Sequence, residues 1–234
     1  MSRAALRGRL AGLHVLADDD PRWPRDPLAQ AEAACAGGAA VVQLRCKHAT
    51  DAEALRLARG VRARTRAAGA LFFVNDRFDL ALAAEADGVH LGQEDLPPAR
   101  LPAAARARLL VGRSTHTLEQ ARAAAREDVD YVALGPIFGT ASKASPWPAR
   151  GVALAGEIAR ALAPLPLVAI GGVDADGARA LAAAGVAGVA VISAVAAAGD
   201  PVAAVRALKS ALEGGGLKSA LERGALDRAP ESGR

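Results

Sequence analysis

Residues 71–95 read Leu71-Phe72-Phe73-Val74-Asn75, then Asp76 through Asp87 (DRFDLALAAEAD), then Gly88-Val89-His90-Leu91-Gly92-Gln93-Glu94-Asp95. Leu71–Asn75 and Gly88–Leu91 have the length and apolar character of buried strands, and the stretch near 77–84 has the composition of a helix. Strand, helix, strand in this order is the crossover unit that joins neighbouring strands of a parallel sheet. The polar residues of the segment, Asn75-Asp76-Arg77 and Gln93-Glu94-Asp95, follow the two strands and therefore share one end of the sheet.

The alternation continues in both directions. Strand runs are expected at Leu13–Leu16, Val41–Arg45, Leu109–Gly112, Tyr131–Gly135, Leu167–Gly171 and Gly188–Ile192. Helical stretches fall near 28–37, 51–68, 98–106, 117–126, 151–162, 174–184 and 201–212. Eight such units in 234 residues predict a single α/β domain, a closed (β/α)8 TIM barrel over residues 1–212. An open doubly wound sheet is the alternative, but the G-x-G-x-x-G turn after the first strand is missing. Leu208–Glu213 and Leu217–Glu222 both read LKSALE, and residues 213–234 are expected to be a short, frayed extension outside the barrel pattern.

The apolar fraction is 52% but aromatics are only 3%, so the core must be built from Ala, Val and Leu. The net charge of +4 is carried by arginines spread through the helices without aromatic interleaving, which argues against a nucleic-acid partner. It suits an enzyme that handles small anions, alone or as a homo-oligomer. No run is long enough to span a membrane, and His14 and Asp18 interrupt any signal-like core, so a cytoplasmic location is expected. Cys35 and Cys46 have neither metal nor disulfide spacing and read as buried small hydrophobes.

In barrels of this kind function collects at the carboxyl ends of the strands. Along Val41–Lys47, a period of two aims Val41, Gln43 and Arg45 at one face with Lys47 just beyond, and turns Val42, Leu44 and Cys46 toward the helices. Cations aimed at a barrel mouth require an anion: a ligand, or a neighbouring carboxylate in an internal salt bridge. Asp76 and Asp95, on adjacent loops, can neutralise these cations or hold Mg²⁺, which bridges one or two carboxylates to substrate phosphates. Asp76 can also cap the following helix. Ser114-Thr115-His116-Thr117 closes the fifth strand, with Thr117 as a helix cap. The long loop 136–150 carries Gly139-Thr140-Ala141-Ser142-Lys143, donors suited to phosphate, and has the length of a lid. Glycines at Gly171 and Gly172 and a helix start after Ile192-Ser193 match the recurring phosphate site of such barrels. His14 and His90 read as internal hydrogen-bonding residues, His116 remains open, and Trp23 and Trp147 receive no role.

The segments VQLRCK, NDRFDLAL, ADGVHLGQEDLP, GRSTHT, GPIFGTASK, AIGGV and VAVIS, in this order and spacing, resemble the thiamine phosphate synthase family. The resemblance spans nearly the whole barrel. It implies a transferase that condenses 4-amino-5-hydroxymethyl-2-methylpyrimidine pyrophosphate with thiazole phosphate, releasing pyrophosphate. By similarity, Gln43, Leu44, Arg45, Cys46, Lys47 and Asn75 bind the pyrimidine pyrophosphate, and Asp76 and Asp95 carry Mg²⁺. Ser114 approaches the pyrimidine amine, and Lys143 meets the leaving pyrophosphate. Thr140, Ala141 and Ser142 with Gly172, Ile192 and Ser193 cradle the thiazole phosphate. Arg45, Lys47, Ser114 and Lys143 are the implied catalytic groups. Ser142 stands where the family pattern often has Thr, which supplies the same hydroxyl. The rivals are a thiazole tautomerase with His116 as proton shuttle and a non-catalytic barrel that binds thiamine precursors. The full cationic and acidic set argues against both.

Overall fold

The computed structural model describes residues 6–139 and 146–217. Eight strands, β1 (Gly12–Asp18), β2 (Val41–Arg45), β3 (Leu71–Asn75), β4 (Gly88–Leu91), β5 (Leu110–Thr115), β6 (Tyr131–Leu134), β7 (Leu167–Ile170) and β8 (Gly188–Val191), pair in parallel and in sequence order. The sheet closes because β1 pairs with β8 as well as with β2, His14 lying opposite both Ala190 and Val41. The helices are α1 (Pro27–Gly37), α2 (Asp51–Ala68), α3 (Phe78–Ala83), α4 (Ala103–Arg108), α5 (Leu118–Ala125), α6 (Gly151–Leu162), α7 (Ala175–Ala183), α8 (Ser193–Ala196) and α9 (Pro201–Gly214). None of them is long and apolar enough to cross a membrane.

Local chemistry sets where these helices start. Asp26, Thr50, Thr117, Asp174 and Asp200 each accept a bond from the backbone N–H three residues on, satisfying an otherwise orphaned donor. Pro27 and Pro201 sit at the first helical turn, where a missing N–H costs nothing. The expected helix at 98–106 is instead a 3₁₀ turn, Pro98–Arg100, and then α4, because Pro102 breaks the run. Asp76 does not cap α3; Arg77 holds the cap position without a side-chain bond. β1 runs on to Asp18, two residues beyond the expected end. α9 reaches Gly214 and Leu217 is buried in the outer core, so the barrel's packing extends past residue 212.

The period of two splits each strand between two cores. Val42, Leu44, Phe72, Val74, Val89, Leu91, Val132 and Leu134 face outward onto helices that present Ala31, Ala54, Ala58, Ala121 and Ala178. Alanine at these contacts lets helix and sheet approach closely with little side-chain entropy lost. The barrel interior is filled by Leu10, Leu16, Val41, Leu71, Phe73, Leu110, Tyr131, Ala133 and Val168. Its two aromatics take space from neighbouring glycines. A Cβ on Gly88 would lie 2.3 Å from the Phe73 ring, and one on Gly112 only 2.2 Å from that of Tyr131. Cys35 and Cys46 are half-buried rather than fully enclosed. Burial still holds the Cys46 thiol protonated, its pKa pushed up to about 12.

Gly112→Ala is expected to cost about 1–3 kcal/mol of stability, as overpacking against Tyr131, readable as a lowered urea midpoint at unchanged slope. His14, inside the barrel with Nε2 donating to the Leu10 carbonyl at 2.7 Å, supplies a second test. Burial lowers its pKa from 6.5 to about 4, so the folded state holds it neutral. That contribution is complete above pH 6.5 and is lost as pH falls toward 4, where the unfolded chain binds a proton the native one refuses. Between these limits wild type should lose on the order of 3 kcal/mol more than His14→Gln, measured by denaturant unfolding at each pH.

Candidate active site

A cavity of about 840 Å³ opens at the carboxyl ends of the strands. One side is polar, with Gln43, Arg45, Lys47, Asn75, Asp76 and Asp95 on β2–β4 and the loops that follow them. The other, from β6–β8, is apolar and glycine-rich: Ala133, Val168, Ile170, Gly172 and Ile192, with Ser193 at its edge. Leu44 and Cys46 do not line it. Their side chains pack outward in the sheet–helix layer, as the period of two requires.

Arg45 at the end of β2 and Lys47 just beyond it each have a carboxylate partner. Arg45 Nη1 donates to Asp18 Oδ2 at 2.6 Å, and Lys47 Nζ to Asp76 Oδ2 at 2.5 Å. Asp18 is 1% exposed, and its Oδ1 accepts from the Asp20 N–H and from Trp23 Nε1. Asp19 ties down the following loop by accepting the backbone N–H groups of Lys47, His48 and Ala49. Gln43 differs. It is 4% exposed, lines the cavity, and its Oε1 has no hydrogen-bond partner among the described residues. A buried acceptor left open in this way calls for a donor from a ligand or from water.

Asp76 has φ +65°, a left-handed conformation that Asp tolerates better than most side chains, and its N–H donates to the His90 carbonyl at 2.7 Å. This turn carries its carboxylate toward Asp95, whose Oδ2 also accepts the Gly92 N–H. Burial, then hydrogen bonding to Asp76, raises the Asp95 pKa above the ordinary carboxylate range. Two carboxylates forced together are relieved by a shared proton or a cation. Among the described residues no cluster of three or more His, Cys, Asp or Glu could enclose a metal. The two neighbouring carboxylates are oxygen donors of the kind a hard, partly hydrated cation such as Mg²⁺ takes, a cation that uses few protein ligands and leaves positions for phosphate oxygens.

Deeper in the cavity, His90 lies 2.8 Å from Tyr131 Oη through Nδ1 and 2.8 Å from Ser114 Oγ through Nε2. Gln93 Nε2 donates to the Ser114 carbonyl. On the apolar side Gly171 and Gly172 have φ +103° and +68°, and a Cβ on Gly172 would lie 2.3 Å from the Gly139 carbonyl oxygen. Gly172 thus lets the loop after β6 approach β7. Ser193 opens α8, directly beyond Ile192. His116 Nδ1 donates to the Gly135 carbonyl, and its ring stacks on Trp147 at 5.0 Å between centroids. Arg150 covers Trp147 at 5.0 Å. Thr140, Ala141, Ser142 and Lys143 lie outside the described residues.

Sequence reasoning missed Asp18 and Trp147. Asp18 was detectable: it continues the inward series His14, Leu16, Asp18 and stands opposite Arg45 in the β1–β2 register. Trp147 had no such signal, because a loop has no period.

A parallel barrel with a cationic and acidic cluster at its strand ends and a glycine-rich wall opposite is an enzyme scaffold for phosphorylated substrates. Comparison with known proteins narrows the class. The family model described as thiamine monophosphate synthase matches residues 13–195. A thiamine-phosphate synthase of Anaeromyxobacter dehalogenans is 49% identical over 212 residues, covering 91% of this chain and 92% of that protein. The enzyme of the same description from Methanoculleus marisnigri is 46% identical over 197 residues, covering 84% and 93%. The solved thiamine phosphate pyrophosphorylase of Pyrococcus furiosus superposes with a TM-score of 0.79 at 36% identity, covering 90% of this chain and 98% of that one. The chain belongs to the thiamine monophosphate synthase family, transferases that form thiamine phosphate.

Removing Asp18 leaves Arg45, whose side chain is only 14% exposed, without its counter-ion. Asp18→Ala is expected to destabilise the protein by about 3 kcal/mol, since breaking one side of a buried pair strands the other charge. Chemical denaturation measures this, and a change below about 0.5 kcal/mol would contradict the pairing.

Proposed function

We propose that this enzyme joins the pyrimidine pyrophosphate to thiazole phosphate by a dissociative displacement in the cavity described above, with Mg²⁺ on Asp76 and Asp95. The observation that carries the reading is the pairing of Asp76 with Asp95 beside Lys47 and Arg45, with the open Gln43 acceptor on the same wall. That set suits a pyrophosphate with its cation and an amine-bearing ring. Gln43 and Asn75 hold the pyrimidine, and Arg45 and Lys47, with Lys143 from the loop, bind the pyrophosphate. Thr140, Ala141 and Ser142 with Gly172, Ile192 and Ser193 cradle the thiazole phosphate, where small residues and backbone N–H groups allow close approach.

In the reaction the bond from the exocyclic methylene carbon to the pyrophosphate oxygen breaks, and its electron pair leaves with pyrophosphate. The ring amine stabilises the resulting pyrimidine-methyl cation, with Ser114 at that amine. The thiazole nitrogen then donates its lone pair to form the C–N bond. Mg²⁺ held by Asp76 and Asp95 would supply neutralisation of charge on the leaving group. The chain's own part is electrostatic: Arg45, Lys47 and Lys143 face the charge that grows as the C–O bond lengthens, an arrangement that needs no strong general base. Two free thiols, Cys35 and Cys46, are consistent with a cytoplasmic setting.

Purified protein given both substrates and Mg²⁺ should form thiamine phosphate, and EDTA should abolish it. Asp76→Asn keeps the left-handed turn and removes the charge, so it should lower kcat about a hundredfold or more without unfolding the protein. Lys143→Ala should do the same. Either variant at full turnover with saturating substrates would overturn these roles. No product from folded wild type would favour thiazole tautomerisation, with His116, on the cavity wall, as the residue to mutate.

A further inference from the structure

We propose that Tyr131 and His90 form a donor relay that orients the Ser114 hydroxyl toward the substrate, so that both act as positioning residues for the reaction. The inference rests on the reading that Ser114 meets the pyrimidine. It begins with Tyr131, which is 1% exposed. Burial raises the phenol pKa, so the O–H stays intact at any working pH. Its one hydrogen-bond partner among the described residues is His90 Nδ1, at 2.8 Å. A buried hydroxyl that only accepted would leave its own proton unpaired, at the full cost of desolvation. Tyr131 therefore donates, Nδ1 accepts, and the proton of neutral His90 lies on Nε2.

That tautomer fixes the next link. Nε2–H donates to Ser114 Oγ at 2.8 Å, occupying one lone pair of the hydroxyl. The Ser114 backbone is held separately, by Gln93 Nε2 at its carbonyl. The serine is left with one proton and one lone pair, and Ser114 lines the cavity. Without the relay, the hydroxyl could turn its own proton onto His90 and meet the substrate as an acceptor only.

The rigidity of the relay comes from the barrel interior. The Tyr131 ring meets Phe73 and His14 edge-on, with centroids 5.8 and 5.6 Å away, and stacks near the His90 ring at 5.5 Å. Gly112 on the adjacent strand leaves the space that the Tyr131 ring fills. Packing of this kind fixes the phenol oxygen, and through it the imidazole plane, before any ligand arrives.

Nitrogen-15 NMR of the His90 imidazole reads the tautomer directly and needs no turnover. The Nε2–H form is expected in wild type, with a mixture of tautomers in Tyr131→Phe, which keeps the ring packing. Steady-state kinetics supply the functional arm. Tyr131→Phe and His90→Phe should each lower kcat by roughly tenfold, the value of one oriented hydrogen bond, with a smaller change in KM. The double variant His90→Phe/Ser114→Ala should fall within about twofold of Ser114→Ala alone, because residues acting through one another do not add. Multiplicative losses would make His90 a merely structural residue and overturn the proposal, as would an Nδ1–H tautomer in wild type. Full turnover in Ser114→Ala with the Nε2–H tautomer intact would remove Ser114 from the substrate and with it the relay's role, while leaving thiamine phosphate synthesis standing.

Discussion

The hydrogen bonds between β8 and β1 are the constraint on which the rest depends. They turn an open parallel sheet into a closed one, and closure requires the two backbones to meet with almost nothing between them. Gly188 makes this possible, since a Cβ there would lie 2.5 Å from the Gly12 carbonyl oxygen. Once the circle is closed, every second residue of every strand faces an enclosed interior and has nowhere else to go. The polar residues near the strand ends are thereby collected into one mouth, although they come from separate stretches of chain.

Within that mouth the two walls have different physics. The wall from β2–β4 is ionic, and its charges are already engaged: Arg45 with Asp18, Lys47 with Asp76. The wall from β6–β8 is made of small and branched apolar residues and two glycines with positive φ. Between them stands a buried polar column, Tyr131, His90 and Ser114, supported by the aromatic packing of the barrel floor. An ionic wall suits a leaving group, and a close apolar wall suits a ring that must be brought near without competing for charge.

Much of this could be read from the sequence because strands have a fixed period. β2, β3 and β4 fall where the apolar runs put them, and the inward set Gln43, Arg45 and Asn75 follows from counting by twos. The same count carries Asp18 into the site once β1 is allowed its full length. Where the period stops, legibility stops. That Asp76 and Asp95 lie on adjacent loops at one end was legible, but the left-handed turn at Asp76 that brings their carboxylates together is a tertiary outcome that no local pattern announces. The stacking of Trp147 on His116 joins two loops of unrelated composition. Pro102 was visible, yet its effect on the 98–106 stretch was to split one expected helix into two short turns of different kind.

The engagement of both cations has a consequence for selectivity. Arg45 and Lys47 bring two positive charges, and Asp18, Asp76 and Asp95 bring as many as three negative ones. Among the described residues the ionic wall therefore presents no surplus of positive field. A bare anion, such as the inorganic phosphate abundant in any cell, would have to separate Lys47 from Asp76 and would leave two carboxylates facing each other uncompensated. On the reading proposed above, an anion that arrived with a divalent cation would meet no such penalty, because the cation would take the carboxylates as the anion took the lysine. A resting site neutral in this way would discriminate by the company an anion keeps rather than by its shape.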